Sequence, residues 1–232
     1  MTIYLIPTVL AEQTAESVLP KQISEVVLQT QYYLVENIRT ARRFISSLRL
    51  GIEIELLHFE VVDKSTPESD VLKFLSEIPA DQNVGIMSEA GCPGIADPGS
   101  VVVKIAHQKG IKVVPLVGPS SILMALISSG FSGQHFAFNG YLPINKEPKL
   151  SKIRDLEQIV LTKGITQIFM ETPFRSQFMF EDILKACSKN IKLCIATDIT
   201  GPSELILTKE IGEWRKTELD INKKPTIFIL GR

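Results

Sequence analysis

An α/β fold in two parts is what this 232-residue sequence predicts, on three grounds. Apolar runs of strand character alternate with helical stretches through the first half, the pattern of a largely parallel sheet. The alternation loosens after Gly118-Pro119-Ser120-Ser121, so a boundary is expected there, with one α/β domain over residues 1–117 and a second over 118–232. Several predicted strands also run directly into loops rich in glycine and proline, and open α/β sheets bind ligands at the carboxyl ends of their strands.

Taken in order, Ile3 to Ile6 is a first strand stopped by Pro7, with a loop from Thr8 to Thr14. Pro20 opens a short helix that runs through Leu28, and Tyr32 to Glu36 is a second strand. Asn37 is placed to cap a helix over Arg39 to Leu50, because its side chain can accept from free first-turn amides; Gly51 closes that helix. Ile54 to Phe59 is a third strand. Thr66 caps the next helix, with Pro67 at its first position and Glu68 and Asp70 in its first turn; it ends near Ile78-Pro79. Val84 to Met87 is a buried strand, followed by a helix from Val101 to Lys109 and a strand from Lys112 to Leu116. In the second half, Ile122 to Ser128 is an apolar helix, His135 to Asn139 a strand, and Gly140 to Pro143 a turn. A polar, lysine-bearing loop spans Ile144 to Lys152, and a helix runs on to about Lys163. Strands follow at Thr166 to Met170, Lys192 to Thr197, Glu204 to Thr208 and Pro225 to Leu230, with a helix after Arg175.

Composition bounds the chemistry. Net charge is -1, so no global positive field holds nucleic acid and such a partner would need a local patch. Three cysteines, Cys92, Cys187 and Cys194, are an odd number without metal-ligand spacing, as in a cytoplasmic protein with reduced thiols. With three unclustered histidines no metal site is expected. The N-terminus lacks the basic region and apolar core of a signal peptide, and no apolar run has membrane-spanning length.

Four stretches carry candidate chemistry. The longest is Ser88-Glu89-Ala90-Gly91-Cys92-Pro93-Gly94-Ile95-Ala96-Asp97-Pro98-Gly99-Ser100, with three glycines and two prolines between a strand and a helix. Glycine lets a ligand approach the main chain and proline stiffens the loop, although a long structural turn has the same composition. Gly118-Pro119-Ser120-Ser121 sets two hydroxyls at a helix start, suited to a polar ligand group or to ordinary capping. Met170 at a strand end could pack an adenine or could be a core residue. Arg39, Arg42 and Arg43 form a basic face, usable against phosphate or simply solvated.

Together these pieces resemble the tetrapyrrole methylase family, S-adenosylmethionine-dependent enzymes, and within it the branch that methylates 16S ribosomal RNA. The branch's S-D-A-G-T-P-x-I-S-D-P-G corresponds to Ser88 to Gly99, its G-P-S-A to Gly118 to Ser121, and its E-D-T-R to Glu36-Asn37-Ile38-Arg39. Its G-F-L-P corresponds to Gly140 to Pro143 and its E-[AS]-P-x-R to Glu171 to Arg175, so five motifs stand in the family's order. The resemblance implies two α/β domains with the cofactor cleft between them, a homodimer, and S-adenosylmethionine held near Pro7, Ala90, Gly91, Cys92, Ile95, Ser120, Ser121 and Met170. Thr197, Pro225 and Thr226 are further cofactor candidates. It implies 2′-O-methylation of a cytidine in 16S ribosomal RNA or the small ribosomal subunit, with Arg42, Arg43, Tyr141, Glu171 and Arg175 toward substrate.

An activated sulfonium methyl needs mostly proximity and orientation, and a base would help to deprotonate a ribose hydroxyl. Glu36 and Glu89 are candidates for that base, and Arg39 for positioning; helix capping or ion pairing are their structural alternatives. Cys92 is read as a small side chain beside the cofactor and not as a nucleophile. The branch's N-terminal T-P-I-G-N is absent, Glu89 and Cys92 replace its Asp and Thr, and the branch has a C-terminal extension where this chain ends at Arg232. A methyltransferase for a tetrapyrrole or another small molecule, and a non-catalytic S-adenosylmethionine-binding protein, are the alternative readings.

Overall fold

A computed structural model describes residues 1–232. The chain divides into two compact units, Met1–Ser120 and Ser121–Arg232.

The first unit is built on β1 (Thr2–Leu5), β2 (Tyr32–Val35), β3 (His58–Val61), β4 (Val84–Met87) and β5 (Lys112–Pro115). They form one sheet in the order β3-β2-β4-β1-β5, and every pairing is parallel. The helices are α1 (Ala15–Val18), α2 (Lys21–Leu28), α3 (Ile38–Ser47), α4 (Glu68–Glu77) and α5 (Gly99–Gln108). Successive strand residues point to opposite faces. Tyr33 and Val35 therefore join a core with Ile23, Val27, Phe44 and Ile45 of α2 and α3, while Leu34 joins Val71, Val102 and Ile105 of α4 and α5. The connection from β1 passes β4 to reach β2, and that from β4 passes β1 to reach β5. These opposite excursions, made with right-handed crossovers, put helices on both faces and leave a crevice outside the carboxyl ends of β1 and β4. The parallel register, with Leu5 opposite both Ile86 and Pro115 and Val35 opposite Met87, brings Pro7, Glu36, Ser88 and Leu116 to that one edge.

The second unit has a mixed sheet of β6 (Phe136–Tyr141), β7 (Thr166–Glu171), β8 (Lys192–Thr197), β9 (Leu205–Glu210) and β10 (Thr226–Gly231), in the order β6-β7-β10-β8-β9. Only β6 and β7 are parallel; the other pairings are antiparallel. The last strand is thus the central one, and all six of its residues are buried. Helices α6 (Ser121–Ser129), α7 (Lys146–Lys163), α8 (Ser176–Ala186) and α9 (Ile211–Trp214) complete the unit. Its core sets Phe169 against Phe228 at 5.7 Å and Phe180 edge-on to Trp214, whose indole N–H donates to the Leu193 carbonyl.

Several local expectations are corrected. Ile54–Leu56 is a 3-10 turn and the third strand begins at His58. Ile54 and Leu57 both face the core, an i, i+3 spacing that suits a helical turn better than a pleat. Helix α3 stops at Ser47, because Leu48, Leu50 and Ile52 alternate into the core as an extended segment would; Arg49 takes the left-handed turn at φ 53°. Thr66 does not cap α4: its hydroxyl is engaged by Asp63, whose N–H donates to it at 2.9 Å, and α4 begins after Pro67 with no side-chain cap. Residues 146–152 are helical, not a loop. There Lys149 is buried and paired with Asp182 of α8 at 2.8 Å, a tertiary contact invisible in a run of polar residues. Gly140 and Tyr141 end β6, where the register shifts after Phe138 and Gly140 adopts φ 62°. The short helices α1 and α9 carry no clear periodic signal.

Candidate functional site

In the first unit the loop after β4 is fastened to itself and to its neighbours by the residues that made its motif conspicuous. The Asp97 carboxylate accepts from the Gly94 N–H at 2.8 and 2.9 Å and from the Gly99 N–H at 2.7 Å. Within this clamp Gly94 and Ala96 adopt left-handed conformations, with φ 86° and 64°, as does Gly91 before it at φ 75°. Ser88 is buried and its hydroxyl turns toward the Ala90 and Gly91 carbonyls at 3.3 and 3.4 Å. The Thr8 N–H donates to the Gly91 carbonyl at 2.9 Å, tying the segment after β1 to the loop. The Cys92 thiol donates to the Pro119 carbonyl at 3.3 Å, tying in the segment after β5. A Cβ on Gly91 would meet Leu10 and the Pro119 carbonyl, and one on Gly118 would fall on the Pro7 ring. Pro7, Gly91, Cys92 and Ser120 thus lie on three strand-end segments brought to one sheet edge, with Ala90 exposed and Ile95 46% exposed beside them.

Glu36, at the end of β2, lies against this loop. Its carboxyl is held above the usual carboxylate range, first by partial burial and then by the negative charges of Glu89 and Asp97. The Glu89 backbone N–H and Lys64 act the other way. A small pocket lined by Glu36, Ser88, Met87, Asp97 and Gly99 opens there. Asn37 caps α3 as expected, accepting from the Arg39 and Thr40 amides at 2.9 and 3.3 Å. The three arginines do not act as one group. Arg43 pairs with Glu12 at 3.0 Å, Arg42 lies 5.4 Å from the Phe59 ring centroid, and Arg39 is exposed. Burial pushes the Cys92 thiol up, which keeps it protonated at neutral pH and fits a packing role.

In the second unit, Met170, Thr197, Pro225 and Thr226 gather at one end of the mixed sheet, since Thr226 lies opposite both Glu171 and Thr197. The Thr226 and Thr197 hydroxyls are 2.9 Å apart. Tyr141 lies opposite Met170 across β6 and β7. Glu171 is buried, and Oε1 accepts from Nε and Nη2 of Arg175 at 2.9 and 2.6 Å and from the Thr172 N–H at 2.7 Å. The two ionic residues of this motif therefore hold each other, and it is Phe174 between them that stands out, 72% exposed. Ser121 is the first residue of α6. Sequence reasoning overlooked Asp97 and Phe174. An aspartate set between glycines, with its known tendency to bond nearby backbone, was a usable signal for the first; nothing local distinguished the second.

No protein-family profile matches the chain. Curated relatives do. Ribosomal RNA small subunit methyltransferase I of Vibrio cholerae is 26% identical over 211 residues, 91% of this chain and 69% of its own length. The protein of that name from Buchnera aphidicola (subsp. Schizaphis graminum) is 28% identical over 86% of this chain and 72% of its own length. That of Escherichia coli O157:H7 is 30% identical over 67% of this chain and 54% of its own.

This chain is a methyltransferase homologous to these proteins.

The crystal structure of the methyltransferase CobJ has the same fold, with a TM-score of 0.64 over all of this chain and 93% of that one at 15% identity. The tetrapyrrole methylase resemblance drawn from the motifs therefore holds for the fold, and the ribosomal RNA branch is the one to which the sequence relatives point. No helix of the methyltransferase is long and apolar enough to cross a membrane.

Proposed function

We propose that this methyltransferase uses S-adenosylmethionine to methylate the ribose 2′-hydroxyl of a cytidine in the RNA of the small ribosomal subunit, in the cytoplasm and as a homodimer. The observation that carries this reading is that relatives aligned over 86–91% of the chain bear the ribosomal RNA name. The donor set suits the cofactor: backbone groups of Ala90 and Gly91, the apolar side chain of Ile95, half-buried Ser120 and Ser121, and no lysine or arginine among them. In the second unit the same role falls to Met170, Thr197, Pro225 and Thr226. Bound there, S-adenosylmethionine would supply a methyl group already activated by its sulfonium.

The chain's own residues have two tasks. The clamped loop presents a preformed main chain, so little ordering is left to be done on binding. Glu36, whose proton affinity is raised by burial and by Glu89 and Asp97, is the best-suited acceptor for a hydroxyl proton, with Glu89 beside it. Arg39, Arg42, Arg43, Tyr141 and Arg175 are proposed to face the RNA.

Labelled S-adenosylmethionine offered with small ribosomal subunits and, in parallel, with uroporphyrinogen tests the reading. Label should enter subunit RNA alone, and calorimetry with S-adenosylhomocysteine should show saturable binding. Transfer to uroporphyrinogen without transfer to subunits would overturn the acceptor; failure to bind either form of the cofactor would overturn the donor.

A further inference from the structure

We infer that the junction between β7 and α8, with Phe174 at its centre, is the surface on which an unstacked base of the RNA substrate is held. The inference rests on the RNA reading above and goes beyond it by assigning the contact to residues outside the predicted arginine face. Phe174 and Phe178 are one helical turn apart in sequence and are 72% and 63% exposed. Large aromatics are usually covered, and two so close together on a polar background form a local apolar step. The step is rigid. Phe174 lies in the 3-10 turn Pro173–Arg175, whose last residue is held by the buried Glu171, so the ring is carried on a fixed backbone.

The surroundings are basic. The segment before β10 is anchored to the start of α8 by two hydrogen bonds: the Ser176 hydroxyl donates to the Lys224 carbonyl at 2.9 Å, and the Ile221 N–H donates to the Gln177 side chain at 3.1 Å. This brings the backbone of Lys224 against Ser176, the residue after Arg175, with the exposed Lys223, at φ 59°, next to it in the chain. Of the acidic groups nearby, Glu171 bonds Arg175, Asp220 accepts from the Asn222 N–H at 3.0 Å, and Glu181, three residues after Phe178, lies 3.9 Å from Lys185. Aromatic faces interleaved with cations are what single-stranded nucleic acid requires: the rings stack bases and the cations take phosphates. The junction also adjoins Met170 and Tyr141, the residues of this unit proposed for cofactor and substrate.

Methyl transfer to undermethylated small ribosomal subunits provides the test. Phe174→Ala should raise KM for subunits roughly tenfold or more, since one base–aromatic stack is worth about that much. Its affinity for S-adenosylhomocysteine and its thermal midpoint should stay as in the wild type. Phe174→Tyr and Phe174→Trp should restore KM, whereas Phe174→Leu, equally apolar but without a ring face, should not. Lys223→Ala with Lys224→Ala should lower the slope of log affinity against log salt by about 0.7 for each phosphate that the lysines neutralise. Wild-type KM in Phe174→Ala, or full function in Phe174→Leu, would overturn the inference. A shift from dimer to monomer in Phe174→Ala with KM unchanged would overturn it in favour of a protein interface. Wild-type protein that binds the cofactor but transfers nothing to subunits would remove the RNA reading, and this surface with it.

Discussion

The loop after β4 and the turn after β7 are both motif-rich segments at strand ends, yet they use their motifs in opposite ways. In the first, a charged residue of the motif bonds backbone: Asp97 takes the amides of Gly94 and Gly99, and what is left facing outward includes Glu89, Ala90, Ile95 and Ala96. In the second, the charged residues bond each other, Glu171 with Arg175, and what is left facing outward is an aromatic ring. One construction suits a ligand recognised through backbone contacts, as a nucleoside cofactor can be. The other suits a ligand recognised by stacking. In both cases a charged residue of the motif is bonded within it, and less conspicuous neighbours are left facing outward.

The comparison can be broken first at its packing. A Cβ at Gly118 would fall on the ring of Pro7, which cannot rotate away, so Gly118→Ala should cost at least about 2 kcal/mol in urea unfolding and loosen the loop after β4. An unchanged urea midpoint would mean that the segments after β1 and β5 are not held together as described. The equivalent change at Gly133, where the nearest side-chain atom is 4.0 Å away, should be nearly neutral.

The two motif carboxylates sharpen it further. Asp97→Ala leaves the Gly94 and Gly99 amides without their acceptor, and Glu171→Ala leaves Arg175 and the Thr172 amide without theirs; each should cost about 1–3 kcal/mol. Their functional effects should diverge. Calorimetry should show S-adenosylhomocysteine binding falling at least about tenfold in Asp97→Ala, with Asp97→Asn intermediate because it keeps one acceptor oxygen. Glu171→Ala should affect chiefly KM for the RNA substrate. Equal losses of cofactor affinity in both variants would erase the distinction between the two regions.

The smallest effect concerns charge. Glu36 has a folded-state pKa above its unfolded one, so the contribution of its protonated form to stability is present at low pH and is lost as pH rises through the raised value. At neutral pH the ionised group is held against Glu89 and Asp97. Glu36→Gln should therefore be slightly more stable than wild type at pH 7 to 8, with the gap closing as pH falls below the unfolded carboxylate pKa. A gap that widened toward acid would show Glu36 in a stabilising ion pair instead. The same variant should transfer methyl groups more slowly if Glu36 is the proton acceptor.

Read alone, the sequence determined the alternation that makes the first sheet parallel, most of the strands, the Asn37 cap and the five motifs that pointed to a methyltransferase. These are legible because each rests on residues within a few positions of one another: a strand on its apolar run, a cap on its side-chain oxygen, a loop on its glycines and prolines. The tertiary structure alone decided the rest. Lys149 lies in a polar run that reads as a loop until Asp182, 33 residues on, makes it the buried face of a helix. The last strand became the centre of its sheet because β7 and β8 flank it on both sides. Arg42 and Arg43 ceased to be one basic face once Phe59 and Glu12 engaged them, and Glu36 acquired its proton affinity from Glu89 and Asp97. Burial and charge proximity are properties of distances in space, and residues far apart in the chain acquire them only when the fold brings them together.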